Sequence, residues 1–178
     1  MEQILANAIG ATRRATLHGR DYIVAPATLI VPGVLNGSKG SLYYPIEELS
    51  RDPNSWNGMP MLAYHATQNG MHVSGRDPDI LEKQWVGNVY RTTANGKLSS
   101  ELWFDVEATK RVDNRILQSL QQGKPLELST GLFTDNDAAP AGSTHNGKSY
   151  EWIARNYRPD HLAILPDQKG ACSSQDGC

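Results

Sequence analysis

Little in the composition of this chain points to a chemistry. Only two of its 178 residues are cysteine, Cys172 and Cys178, both within the last seven positions. A structural metal site needs about four ligands at recognisable spacing, and one C-x5-C pair without a nearby histidine does not supply them. Two free thiols on a tail are expected, with no metal and no other cofactor. No apolar run approaches the ~18 residues of a membrane helix, and the amino terminus lacks the apolar segment of a secretion signal. The reading is a soluble, unsecreted protein with no membrane partner. Neither sign of charge dominates: 17 Lys and Arg face 19 Asp and Glu, interspersed, for a net charge of −2. That balance leaves no electrostatic footprint for nucleic acid. Internal repeats are missing, and so is the βαβ rhythm of a doubly wound fold.

What is present is strand sequence. With 39% hydrophobic residues the chain can bury one core of its own. Residues 1–20 are polar and small, and are read as a flexible segment. Residues 21–166 are read as a single domain and 167–178 as an exposed tail. Tyr22 to Val31 is β-branched and apolar, with Pro26 marking a bend or an edge. Pro32-Gly33 and Asn36-Gly37 suggest a long loop. Pro45, Glu47 and Glu48 suit the first turn of a short helix. Met59 to Tyr64 is apolar and ends at His65. Asn95-Gly96 between VGNVYRTT and KLSSELWFDV predicts a hairpin with a type I′ turn. Thr109 then caps a helix carrying Val112, Ile116, Leu117 and Leu120 at helical period, ended by Gly123. Pro125 opens the next strand, DNDAAPAGST forms a loop, and Asn146-Gly147 turns into Tyr150 to Tyr157. His161 to Leu165 is the last strand. The fold class is mainly β (α+β): about seven strands in a mostly antiparallel barrel with a few peripheral helices.

Five histidines are present. His18 and His145 lie in polar loop sequence, and His72 in the ambiguous MHVSG. His65 and His161 each border an apolar strand, and strand-end histidines satisfied by backbone hydrogen bonds are the bland reading. Ser129, in LELSTGLF, interrupts an apolar strand two places before Gly131. A serine hydroxyl becomes nucleophilic only when a hydrogen-bonded base takes its proton and a third group fixes that base. Glycine at 131 leaves room for a close approach to the strand. S-x-G alone is common, and the G-x-S-x-G elbow is excluded because position 127 is Glu.

Order and spacing carry more. His65, Ser129 and His161 stand 64 and 32 residues apart. They resemble the Ser-His-His triad of herpesvirus assemblin and the related phage prohead proteases. WNGMPMLAYH, VGNVY, LELSTGLF and DHLAILPDQKGACS look like the corresponding blocks of phage head-maturation proteases, over roughly residues 22 to 172. The resemblance implies a serine endopeptidase on an assemblin-like barrel, acting inside the procapsid in the host cytoplasm on scaffold and major capsid proteins. It implies Ser129 as nucleophile, His65 as base and His161 as the group orienting the base. Asp160 is the alternative third member, since many phage relatives use an acid there. Lys169 and Gly170, eight and nine residues past His161, fall where assemblin builds its oxyanion hole, with Thr130 and Gly131 as further substrate-binding residues. Control by dimerisation, common in that family, makes a homodimer an expectation. The rival from another class is a non-catalytic capsid- or scaffold-associated protein on the same barrel. An unperturbed histidine base titrates near ~6.5, so activity is expected to rise between pH 6 and 7.

Overall fold

Strands dominate this fold. The computed structural model describes residues 12–37 and 40–168. Strand β1 (Arg13–Leu17) pairs antiparallel with β2 (Arg20–Ile30) across His18-Gly19, both at positive φ. Strands β3 (Gly33–Gly37) and β4 (Gly40–Tyr44) form a second hairpin. Helix α1 (Ile46–Arg51), a 3-10 turn (Pro53–Trp56) and strand β5 (Pro60–Ala63) follow. A small hairpin of β6 (Thr67–Gln68) and β7 (Met71–His72) precedes helix α2 (Pro78–Gln84). Strands β8 (Trp85–Ala94) and β9 (Leu98–Asp105) lead into helix α3 (Val106–Gln121). The chain closes with β10 (Glu127–Ala138), a hairpin of β11 (Thr144–His145) and β12 (Lys148–Ser149), and β13 (Trp152–Leu165).

Nine of these strands form one sheet in the order β1-β2-β9-β8-β5-β13-β4-β3, with β10 also on β13. Strand β10 runs antiparallel along one edge of β13 from Trp152 to Leu165. The other edge is shared by β4 at residues 152–153 and β5 at 162–164, both parallel to it. The sheet is therefore mixed. It does not close into a barrel, because β10 reaches β2 through a side chain, Thr130 Oγ1 donating to the Leu29 carbonyl (2.8 Å), and not through a ladder.

Several sequence expectations change. Part of the segment read as flexible is β1, whose five residues are all polar or half-exposed and so carry no core signal. The expected loop at 32–37 contains β3, because its glycines bound a short strand that pairs with β4 and do not mark a loop. Asn95-Gly96 sits in a three-residue loop between paired Ala94 and Leu98, with positive φ at Gly96 and not at Asn95. The type I′ pair is instead Asn146-Gly147, where both residues have positive φ. Asp105, not Thr109, caps α3: its side chain accepts the Ala108 N–H (2.9 Å), while Thr109 Oγ1 donates to the Val86 carbonyl (3.1 Å). Strand β10 extends into the expected loop at 135–138, and the two expected last strands are one continuous β13. Gly123 does end α3, with the paired bonds Gly123 N to Leu120 O and Lys124 N to Ser119 O.

The core is shared by the sheet, α3, α1 and the 3-10 turn. It is built from Leu49, Trp56, Met59, Met61, Leu102, Phe104, Ile116 and Ile164, each at most 2% exposed. Burial of each such side chain stabilises by about 1.5–3 kcal/mol. A smaller cluster of Leu62, Ala66 and Ile80, with Val73 and Trp85 packed on it, lies under the segment from His65 to Gly75. That cluster gives the loop after β5 a fixed seat. Among the described residues no helix is long and apolar enough to cross a membrane.

Candidate active site

His65 follows the fully buried strand β5, Ser129 stands on β10, and His161 on β13. The order β5-β13-β10 places the strand of His161 between the other two. Ser129 pairs with Ala163, and Gly131 with His161. The three side chains meet. Ser129 Oγ lies 2.8 Å from His65 Nε2, and His65 Nδ1 lies 2.9 Å from His161 Nε2.

Asp160 joins the same line. Side chains of adjacent strand residues point to opposite faces, so the sequence expectation admitted either His161 or Asp160. Between Gly131 and Leu132 the β10–β13 register slips: Gly131 pairs with His161 but Leu132 with Pro159. Asp160 is the extra residue of that bulge, and the alternation breaks there. Its Oδ2 lies 2.7 Å from His161 Nδ1, behind His161 and away from His65. Ser74 Oγ donates to Asp160 Oδ1 (2.6 Å), the Gly75 N–H donates to Oδ2 (2.6 Å), and Ser74 Oγ in turn accepts the Arg76 N–H (3.1 Å).

A carboxylate only accepts hydrogen bonds, and this fixes every proton in the chain. His161 must carry its proton on Nδ1 to donate to Asp160, which leaves Nε2 as an acceptor. His65 therefore donates from Nδ1, and its bare Nε2 accepts the Ser129 hydroxyl. The basic nitrogen of His65 faces the serine.

Two glycines make space for His161. A Cβ on Gly131 would stand 2.5 Å from His161 Cε1, and one on Gly75 would stand 2.5 Å from His161 Cβ. The ring is held between two backbones, a stretch of contact no larger residue admits. The room that glycine leaves at 131 is thus filled by the His161 ring, not held open beside the strand. The Thr130 hydroxyl donates to Leu29 O. Lys169, Gly170, Cys172 and Cys178 lie outside the described residues. Ser74 and Gly75 were not singled out from sequence, because a lone Ser-Gly pair in a loop carries no distinctive signal.

The chain shares its fold with a phage capsid protease. The solved structure of the bacteriophage T4 capsid assembly protease gp21 superposes with a TM-score of 0.55 at 10% identity, covering 89% of this chain and 92% of that one. No protein-family model matches the chain, and no curated protein matches it. At that identity the likeness lies in the backbone path, and the side-chain chemistry rests on the geometry above.

Electrostatics keep His65 neutral. Burial, reinforced by His161 and by His72, lowers the His65 imidazolium from 6.5 to about 4. The His72 ring on β7 stands edge-on to it, centroids 5.8 Å apart. This replaces the expected titration near 6.5: His65 is neutral, and its Nε2 free, well below pH 6. Burial by itself would raise the Asp160 carboxyl. The hydrogen bonds from Ser74, His161 and the Gly75 N–H outweigh it and hold Asp160 below its ordinary value, as a carboxylate. Among the described residues no group of three or more His, Cys, Asp or Glu is arranged to hold a metal ion.

Proposed function

We propose that this protein is a serine endopeptidase of a tailed phage that cleaves scaffold and major capsid proteins inside the procapsid, within the host cytoplasm. The observation that carries the reading is the 2.8 Å contact between Ser129 Oγ and a His65 Nε2 left unprotonated by the chain behind it. The fold shared with a phage capsid assembly protease supports the substrate class.

In this reading Ser129 Oγ attacks the scissile carbonyl carbon and passes its proton to His65 Nε2. The resulting imidazolium keeps its Nδ1–H on His161 Nε2, and His161 keeps its own Nδ1–H on Asp160. His161 is the third member, and Asp160 a fourth that supplies negative charge at one remove. His65 then gives its proton to the leaving amine. The acyl group on Ser129 is hydrolysed by a water whose proton His65 takes and then passes to the departing Ser129 Oγ, which restores the serine and the neutral base. Lys169 and the Gly170 amide are the donors proposed for the oxyanion, the backbone amide being the better suited to a fixed site. Control would come through a homodimer, as in assemblin-type proteases.

Labelling by diisopropyl fluorophosphate tests this reading directly. Mass spectrometry should find the adduct on Ser129, and Ser129→Ala should take no label. An unlabelled wild-type protein at pH 7–8 marks a non-catalytic capsid protein instead.

A further inference from the structure

Tyr64, the residue before His65, has φ 70°, in the left-handed region that bulky side chains avoid. The reversal carries the chain out of β5 and turns His65 toward Ser129, and it persists because both ends of Tyr64 are held. Its N–H donates to the Ile164 carbonyl of β13 (3.0 Å). Its hydroxyl accepts from Arg115 Nη2 (2.7 Å) and donates to Asp167 Oδ1 (2.9 Å). Arg115 also bonds Asp167 Oδ2 (2.8 Å) through Nη1 and Asp113 Oδ2 (2.7 Å) through Nη2.

Arg115 owes this reach to a break in α3. Asp113 departs from helical geometry (φ −153°, ψ 100°), and its Oδ1 accepts the Arg115 N–H (3.0 Å) and Nε (3.0 Å). The break splits α3 into two helical pieces, and Asp113 caps the second. One guanidinium thus ties together three separate parts of the chain: the residue before His65, the segment after the strand of His161, and the kink of α3. A planar fork serves several acceptors at once in a way an ammonium does not.

We propose that Arg115 is a positioning residue that fixes the backbone turn at Tyr64 and so aims His65 at Ser129. The inference rests on the reading of Ser129 and His65 as nucleophile and base. Misplacing a reacting group by about 1 Å costs as much as ~10²-fold in rate. Arg115 touches none of the reacting groups, so its loss acts through geometry.

The test is the rate of labelling by diisopropyl fluorophosphate, which needs no knowledge of the natural substrate, measured as maximal rate and half-saturating concentration from pH 4 to 9. Arg115→Met should lower the maximal rate roughly ten- to hundredfold with little change in half-saturation. It should also move the acid midpoint upward, because a His65 released from its seat gains solvent and leaves His161 and His72. Arg115→Lys should fall between it and wild type. Tyr64→Phe, which deletes one hydroxyl, should change rate and midpoint in the same direction and guards against an Arg115→Met protein that does not fold. A wild-type maximal rate and an unmoved midpoint in folded Arg115→Met or Tyr64→Phe overturn the positioning role and leave the serine reading standing. A lowered rate with an unmoved midpoint, matched by a lower folded fraction, assigns Arg115 to stability alone and also overturns it. Wild-type protein that fails to label at Ser129 sinks the catalytic reading and this inference with it.

Discussion

At the residue scale the proton chain orders the consequences of substitution. Ser129→Ala and His65→Ala remove the proposed nucleophile and base, and either should abolish turnover to the same background, since members of such a unit act together. His161→Ala leaves His65 Nδ1 without its acceptor, so the tautomer that presents Nε2 to Ser129 loses its support. A smaller loss than for Ser129→Ala is expected, though still large. Asp160→Asn should be milder again. An amide oxygen at Oδ2 still accepts from His161 and the Gly75 N–H, and an amide nitrogen at Oδ1 can donate to Ser74 Oγ. What is lost is the negative charge behind His161. Peptide-hydrolysis rates of the four variants check this order. If Asp160→Asn proves worse than His161→Ala, the acid and not the histidine is the third member. His65, Ser129 and His161 were legible as candidates from their places in or beside apolar runs only together with the order and spacing that resemble the herpesvirus and phage proteases. The place of Asp160 behind His161 was harder to see. Strand alternation put the two on opposite faces, and the sign that it would fail was Pro159, which cannot donate to a ladder and marks a bulge.

At the scale of elements, the site depends on how β10 and β13 run past each other. The bulge at Asp160 sends two adjacent side chains into one network, and Gly131 stands directly across from it. The strand pair was only partly readable in sequence. Both strands were foreseen near the serine and the histidine, where apolar residues mark them. The outer half of β10 was not, because Asp135, Asn136 and Asp137 look like loop residues, and the outer half of β13 was read as a separate strand from Tyr150 to Tyr157. There β10 is held by Arg158 on Asp135 (3.0 Å) and Arg155 on Asp137 (3.3 Å), cross-strand pairs with no hydrophobic signature. Gly131→Ala tests the pairing where it matters. The added methyl would overlap the His161 ring, at 2.5 Å from Cε1, and the ring has Gly75 against its other side. Overpacking of this kind costs about 1–3 kcal/mol. A lower thermal midpoint is expected, together with a loss of rate larger than the folded fraction explains, because the ring that supports His65 must shift. Normal activity in Gly131→Ala would mean that His161 can move without consequence, against the role given to it here.

At the scale of the whole molecule, acid should act on rate and on stability through different groups. A general base must be neutral, and a His65 lowered to about 4 stays neutral down to that pH. The pH–rate profile should therefore rise with a midpoint near 4 and lie flat above about pH 6. Stability follows the difference between folded and unfolded proton binding. For His65 the folded value lies below the unfolded 6.5, so below that pH the unfolded chain binds the extra proton. Its contribution is complete above 6.5 and is lost as pH falls toward 4. Asp160 is depressed in the folded state despite its burial, and so is Asp105, where burial opposes but the bonds from Arg20 and the Ala108 N–H win. The contribution of both is present above the ordinary carboxyl value of 3.8 and is lost as pH falls through their folded values. Two stages follow: a gentle decline of the thermal midpoint from pH 6.5 to 4, assigned to His65, then a steeper one below 4, assigned to the carboxylates. His65→Gln should remove the first stage and keep the second. The active enzyme would then work over a range in which its own fold is already weakening. A thermal midpoint constant from pH 7 to 4.5, with a rate midpoint near 6.5, would mean that His65 is solvated and unperturbed. The close-packed relay from Ser129 to Asp160 would then not describe the working site.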